Sequence, residues 1–224
     1  MEWARSGERS LCYPQFAMRL PAPRRRHQLL DVARELFAAG GFHATSMDDV
    51  AEAAGVTKPV LYQHFPSKRA LYRELLEDVG RRLLADITTA TAPADSGRER
   101  VQNGMAAYFG FVTDNQPAFR LLFGASVRND AEFAAVAETV LEHLAEAVAD
   151  MIDVDLPAEQ RAVLAHAVIG MAEAVGRRAL RDGTAEHDPE LLAHWTAELV
   201  WYGLRGVRTG AEAATTPGAG RTEQ

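Results

Sequence analysis

A single cysteine, Cys12, in 224 residues excludes an internal disulfide and any multi-cysteine metal site, and fits a reducing compartment. No stretch sustains the apolar–polar alternation of a half-buried strand. Long hydrophobic runs are also missing. The most apolar, Ala162 to Val175, is interrupted by His166 and Glu173 and falls short of the roughly 20 residues a membrane span needs. No basic segment leads into a long apolar one at the N-terminus, so no secretory signal is read. The histidines His143, His166, His187 and His194 are scattered, without a paired spacing such as His-Glu-x-x-His, so no metal and no cofactor are expected. What remains is a soluble, all-α, cytoplasmic protein that does not engage a membrane.

Positive charge is scarce too: 24 Lys and Arg face 31 Asp and Glu, for a net charge of −7. Its distribution matters more than its sum. Residues 1–23 carry three basic and two acidic side chains, residues 24–82 ten and eight, and residues 83–224 eleven and twenty-one. A weakly basic head on an acidic body suits a protein that touches phosphate only through the head. At 47% hydrophobic the chain has enough apolar residues for a sizeable core.

Helical spacing begins at Arg24, with Leu29, Leu30, Ala33, Leu36 and Phe37 on one side and Gly40-Gly41 as a stop. Ser46 and Asp49 have capping-box spacing, and a short helix over 47–54 follows. Gly55 permits a tight turn, Thr57 caps a third helix that tolerates Pro59 in its first turn, and Pro66-Ser67 separates it from a fourth running to about residue 91. Thr91 to Gly97 reads as a linker. Beyond it, helices are expected over 98–114, 117–124, 130–152, 157–182 and 189–209, with Asp188 capping the last and Gly183 stopping the one before. This gives about nine helices. The expected organisation is a head over 24–82, a helical body over 83–208 and a disordered tail over 209–224. Residues 1–23 read as a disordered extension, or as the product of an upstream start codon with Met18 the true start. There is no internal repeat.

Two short helices joined by a Gly-containing turn form a helix-turn-helix, whose second helix enters the DNA major groove. Val60, Leu61 and Phe65 would pack inward. Thr57, Lys58, Pro59, Tyr62, Gln63 and His64 then face outward, mixing a cation, hydrogen-bonding tips and apolar bodies as base or phosphate contact requires. Lys68 combines a cation with the first-turn amides of helix four, which favours a phosphate there.

The stretch from Arg26 to Leu83 resembles the N-terminal domain of the TetR-like (AcrR-type) transcriptional regulators. The resemblance rests on Ala33, Leu36-Phe37, Gly41-Phe42, Thr45-Ser46, Val50-Ala51, Ala54-Gly55-Val56, Leu61-Tyr62, His64-Phe65 and Ser67-Lys68 with Leu71. It implies that Thr45, Thr57, Tyr62, His64 and Lys68 contact phosphates or bases, that Lys58 and Pro59 face the groove, and that Gln63 sets base choice. Arg24-Arg25-Arg26 either reaches a groove or phosphates or simply solubilises the chain.

The resemblance also implies a C-terminal domain that dimerises and holds an effector, so that a homodimer reads a pseudo-palindrome with half-sites about 34–36 Å apart on double-stranded DNA. The helix over 157–182 is apolar nearly all round and must be covered on several sides. Val163, Ile169, Gly170 and Ala174, with Leu191, Trp195, Leu199 and Tyr202 of the last helix, are the expected dimer surface. The effector pocket is expected to use Tyr108, Phe111, Phe119, Phe123 and Met171 as walls and Asn103, His143, His166 and Glu173 as polar points. His166 and Glu173, seven residues apart, share a helix face as a pocket dyad, a buried pair or a dimer contact. The resulting reading is a non-enzymatic repressor released by a small apolar or amphipathic molecule. An architectural or adaptor DNA-binding protein without effector and an all-α enzyme stand as alternatives.

Overall fold

The computed structural model describes residues 21–181 and 188–207, and every element among them is helical. In order they are α1 Ala22–Ala44, α2 Met47–Ala53, α3 Lys58–His64, α4 Lys68–Thr91, α5 Gly97–Asp114, α6 Gln116–Phe123, α7 Ala125–Arg128, α8 Ala131–Met151, α9 Ala158–Arg181 and α10 Pro189–Gly206. The single turn α7 is the addition to the nine expected. The α1 helix starts at Ala22, inside the expected N-terminal extension, because Pro23 fits a first turn that has no acceptor for its missing N–H. Cys12, Met18, Gly183, His187 and the tail from residue 208 lie outside the described residues.

Local chemistry sets most boundaries. Ser46 and Asp49 close a reciprocal capping box, with the Asp49 amide donating to the Ser46 hydroxyl at 3.1 Å and the Ser46 amide to the Asp49 carboxylate at 2.8 Å. Ser67, Ser96, Asp130 and Asp188 cap α4, α5, α8 and α10 in the same local manner. Gly41 at φ 77° breaks α1 and turns Phe42 inward, and Gly55 at φ 63° makes the turn between α2 and α3.

Helices α1–α3 form a small bundle around Leu29, Ala33, Val50 and Leu61, all fully buried. The long α4 belongs to this bundle and to the body at once. Leu71, Leu75 and Val79 are each 0% exposed and Leu83 1%, a continuous seam in which each residue contributes about 1.5–3 kcal/mol by burial. In the body, α5 packs on α4 and α10, and α8 packs on α4 and α9. The α4–α8 crossing is closest at Gly80, where an added Cβ would overlap the Val140 side chain. Gly80→Ala should therefore destabilise the fold by about 1–3 kcal/mol, and Val140→Ala in the same chain should recover part of the loss. Chemical denaturation of the single and double variants measures this; equal stability of Gly80→Ala and wild type would show that the crossing has slack.

Candidate nucleic-acid interface and ligand cavity

The α3 helix is held by Leu61 at 0% and Phe65 at 1% exposure, which fixes what its other side shows. Thr57, Lys58, Pro59, Tyr62 and Gln63 are exposed and His64 is half-buried. Thr57 occupies the N-cap position without a side-chain capping bond, so its hydroxyl is available to an incoming acceptor. Lys58 pairs with Asp48 at 2.6 Å across the turn, and the carboxylate holds its ammonium above the ordinary lysine pKa. Both partners are exposed, so the pair is weak and a phosphate can compete for the cation.

Lys68 and Thr45 sit differently from expectation. The Lys68 ammonium donates to the Phe42 carbonyl at 2.7 Å and the Thr45 carbonyl at 2.8 Å, and lies 4.5 Å from the Phe42 ring centroid. It ties the end of α1 to the start of α4. Thr45 is 6% exposed, and its hydroxyl donates to the Leu36 carbonyl at 3.2 Å. Of the arginine run, Arg26 forks onto Glu74 of α4, donates to the His64 carbonyl at 2.7 Å and lies 4.5 Å from the Phe65 centroid. One guanidinium thus joins α1, the end of α3 and α4. Arg25 donates to Gln28, which leaves Arg24 exposed.

In the body, α4, α5, α8, α9 and α10 line a partly open cavity of about 570 Å³. Its lining is mainly apolar: Leu83 and Ile87 of α4, Val101, Met105 and Tyr108 of α5, Leu141, Leu144, Val148 and Met151 of α8, Val168 and Ala172 of α9, Val200, Trp201 and Leu204 of α10, and Phe123. Arg100, Asp153, Asp155 and Arg205 add charge. Of the residues expected there, Tyr108 and Phe123 line it. Phe111 and Phe119 are core residues at 5% and 3% exposure, and Asn103 and Met171 stand outside the lining. His143 lines a smaller cleft with Glu77 and Arg81.

The His166–Glu173 dyad does not form. Glu173 reaches Arg177 one turn on at 2.9 Å, and His166 approaches Glu142 of α8 at 3.5 Å in the open. Side chains four apart meet more readily than those seven apart. The hydrogen bond to the Ala162 carbonyl, with Glu142 nearby, holds the His166 pKa above its ordinary value. Among the described residues, no three His, Cys, Asp or Glu side chains cluster as a metal would need.

The remaining feature is an apolar face on α9 and α10. Val163 is 67% exposed, Leu191 42%, Trp195 59%, Leu199 63% and Tyr202 62%. Gly170 and Ala174 are exposed as well, and a Cβ at Gly170 would meet nothing within 4 Å. Ile169, expected on this face, turns inward and lines the cavity.

Two family models match the chain: bacterial regulatory proteins of the tetR family over residues 29–75, and the tetracyclin repressor-like C-terminal domain over residues 98–203. The HTH-type transcriptional activator FasR of Mycolicibacterium smegmatis is 32% identical over 191 residues, 84% of this chain and 87% of FasR. The HTH-type transcriptional repressor KstR2 of Rhodococcus jostii is 48% identical over 52 residues, 23% of this chain and 26% of KstR2. Among solved structures, a TetR-like regulator from Rhodococcus sp. RHA1 aligns with a TM-score of 0.67 at 28% identity, over 84% of this chain and 100% of that one. The transcriptional regulator FadR of Bacillus subtilis in complex with stearoyl-CoA shares the fold, with a TM-score of 0.69 at 14% identity over 81% of this chain and 99% of that one. The exposed recognition helix, the helical body and these likenesses together place the chain in the TetR family of DNA-binding transcriptional regulators, which are not enzymes.

Proposed function

We propose that this regulator acts in the cytoplasm as a homodimeric repressor that grips a pseudo-palindromic operator through α3 and releases it when an apolar chain fills the cavity. The observation that carries the reading is the path of α4. Lys68 at its start secures the reading head, and Leu83, Ile87 and Thr91 near its end wall the cavity. A ligand that binds better to one placement of α4 shifts the population toward it, by no more than its differential affinity. The stearoyl-CoA held by FadR is the kind of molecule whose acyl chain suits walls of leucine, valine and methionine. FasR is named an activator, which favours a second reading in which the bound protein recruits transcription. A reporter placed behind the operator, with and without the gene, separates the two by the sign of the change.

Thr57, Lys58, Pro59, Tyr62, Gln63 and His64 are the proposed DNA contacts, with Thr45 and Lys68 positioning them. Selection of bound duplexes from a random pool at physiological salt should recover a pseudo-palindrome that Tyr62→Ala loses. Gln63→Ala should change the preferred base and leave phosphate contacts in place. No enrichment for the wild-type protein, with or without an acyl ligand, would make the motif purely structural.

Lys68→Ala should lower the melting temperature and leave the slope of log K against log[salt] unchanged, because the cation is already engaged. A slope smaller by about one would return Lys68 to the phosphate contacts.

The α9–α10 face is the proposed dimer seam, since exposed apolar area of this kind marks an interaction site. Trp195→Glu with Leu199→Glu should give a monomer by sedimentation and abolish operator binding, with the helical circular dichroism kept. A dimer that survives both changes would place the seam elsewhere.

A further inference from the structure

Lys58 opens α3, and its ammonium lies 2.6 Å from the carboxylate of Asp48 in the first turn of α2. Two acids stand in that turn, and only one is available to the lysine. Asp49 is spent on the capping box, where its carboxylate accepts from the Ser46 amide. Asp48 takes no part in the cap, and its described partner is Lys58. Lys58 and Tyr62 are four residues apart, so the cation shares its side of α3 with the exposed tyrosine. An acid has thus been set against a cation on the surface that meets DNA, where an acid would ordinarily be repelled by phosphate.

Resting on the reading of α3 as the helix that enters the major groove, we propose that Asp48 is a specificity-determining residue, which turns Lys58 from a phosphate contact into a donor to the acceptor edge of guanine. A lysine ammonium has three N–H donors, and the carboxylate occupies one. Two remain for the O6 and N7 acceptors that guanine presents in the groove. Those acceptors are uncharged, so the lysine reaches them without giving up Asp48. A phosphate is different. It attracts by charge and by counterion release, and a cation neutralised by a carboxylate offers little of either. To meet a phosphate, Lys58 must leave Asp48 or carry one anion against another. Asp48, with a smaller contribution from Tyr62, holds the ammonium above the ordinary lysine pKa, so its three protons stay in place. Phosphate contacts hold every sequence alike, whereas base-edge contacts separate one sequence from another. Withholding the cation from phosphate therefore weakens binding to non-operator DNA more than to the operator, and the ratio of the two rises.

Equilibrium binding of the full chain to its selected operator and to a random duplex, over a series of salt concentrations, tests this. Asp48→Asn should bind the random duplex about fivefold more tightly and steepen the slope of log K against log[salt] by about one. The operator-to-random ratio should fall about tenfold, with loss of a guanine preference at one position of each half-site. Asp48→Glu, which keeps a carboxylate within reach of Lys58, should restore the wild-type slope and ratio. In a Lys58→Met background, Asp48→Asn should change neither. Glu52→Gln, which removes an exposed acid elsewhere on α2, should change neither in the wild-type chain. An unchanged slope and ratio in Asp48→Asn would overturn the proposal. So would equal changes with and without Lys58, since the acid would then act through net charge alone. Operator binding by Lys58→Met equal to wild type would instead remove the reading of Lys58 as a groove contact, and the proposal with it.

Discussion

The orientation of the reading head depends on one joint, where the end of α1 and the starts of α4 and α8 meet around three rings. Phe42, Tyr72 and Phe133 stack edge to face or tilted, with centroids 4.5–5.1 Å apart. Such pairs add about 0.5–1.5 kcal/mol each beyond their buried area. Two cations close the joint. Lys68 sits against Phe42, and Arg69 lies 4.7 Å from the Phe133 centroid while donating to Asp130 at 2.9 Å and Glu132 at 2.7 Å. Asp130 is also the N-cap of α8, and the guanidinium holds its carboxyl below the usual carboxylate range. A single aspartate therefore both starts an effector-domain helix and anchors it to the head.

This joint links the cavity walls to the reading head through α4 and α8. The helix that begins at Asp130 continues through Leu141, Leu144, Val148 and Met151, all cavity wall. Between the joint and the cavity, α8 crosses α4 at Gly80 and Val140 with no room for a methyl group. Close-packed crossings of this kind shift as bodies and do not compress. In the proposed mechanism, filling the cavity acts on α4 and α8 as levers about a tight crossing. The displaced ends are the joint itself and, through Lys68 and Arg26, the placement of α3.

How much of this was legible in the sequence follows from how local each interaction is. The capping box at Ser46, the turn at Gly55, the caps at Ser67 and Asp188 and the first-turn prolines act over three or four residues, and the sequence carries them whole. The apolar face of α10 was legible as well, because Leu191, Trp195, Leu199 and Tyr202 recur at helical spacing. The cavity was not, since five helices line it and no single stretch records which side of each turns inward. The α9 helix makes the point: it is apolar nearly all round, so packing alone decided that Ile169 faces the cavity and Val163 the solvent. The carbonyl partners of Lys68 and Thr45 were not legible for a related reason. They are main-chain oxygens of Leu36, Phe42 and Thr45, and a backbone oxygen leaves no mark in a sequence.

The charge pattern acquires a different meaning once these partners are known. Of the ten cations between residues 24 and 82, Arg24 alone among the described residues has no described partner. The positive head inferred from counting is largely paired, although pairs as exposed as Lys58–Asp48 are weak. The net charge of the head is low, ten basic against eight acidic side chains, and non-specific attraction to phosphate is correspondingly weak. Operator affinity must come from hydrogen bonds and apolar contacts along α3, and a seven-residue helix offers few of them. Pairing two heads makes the second engagement intramolecular and multiplies a weak contact into a useful one. In the proposed homodimer, the exposed face on α9 and α10 is then a condition of DNA binding and not an accessory to it. In that proposed homodimer a small change in α4 is sufficient, because two weak heads bind together only while their spacing matches the duplex.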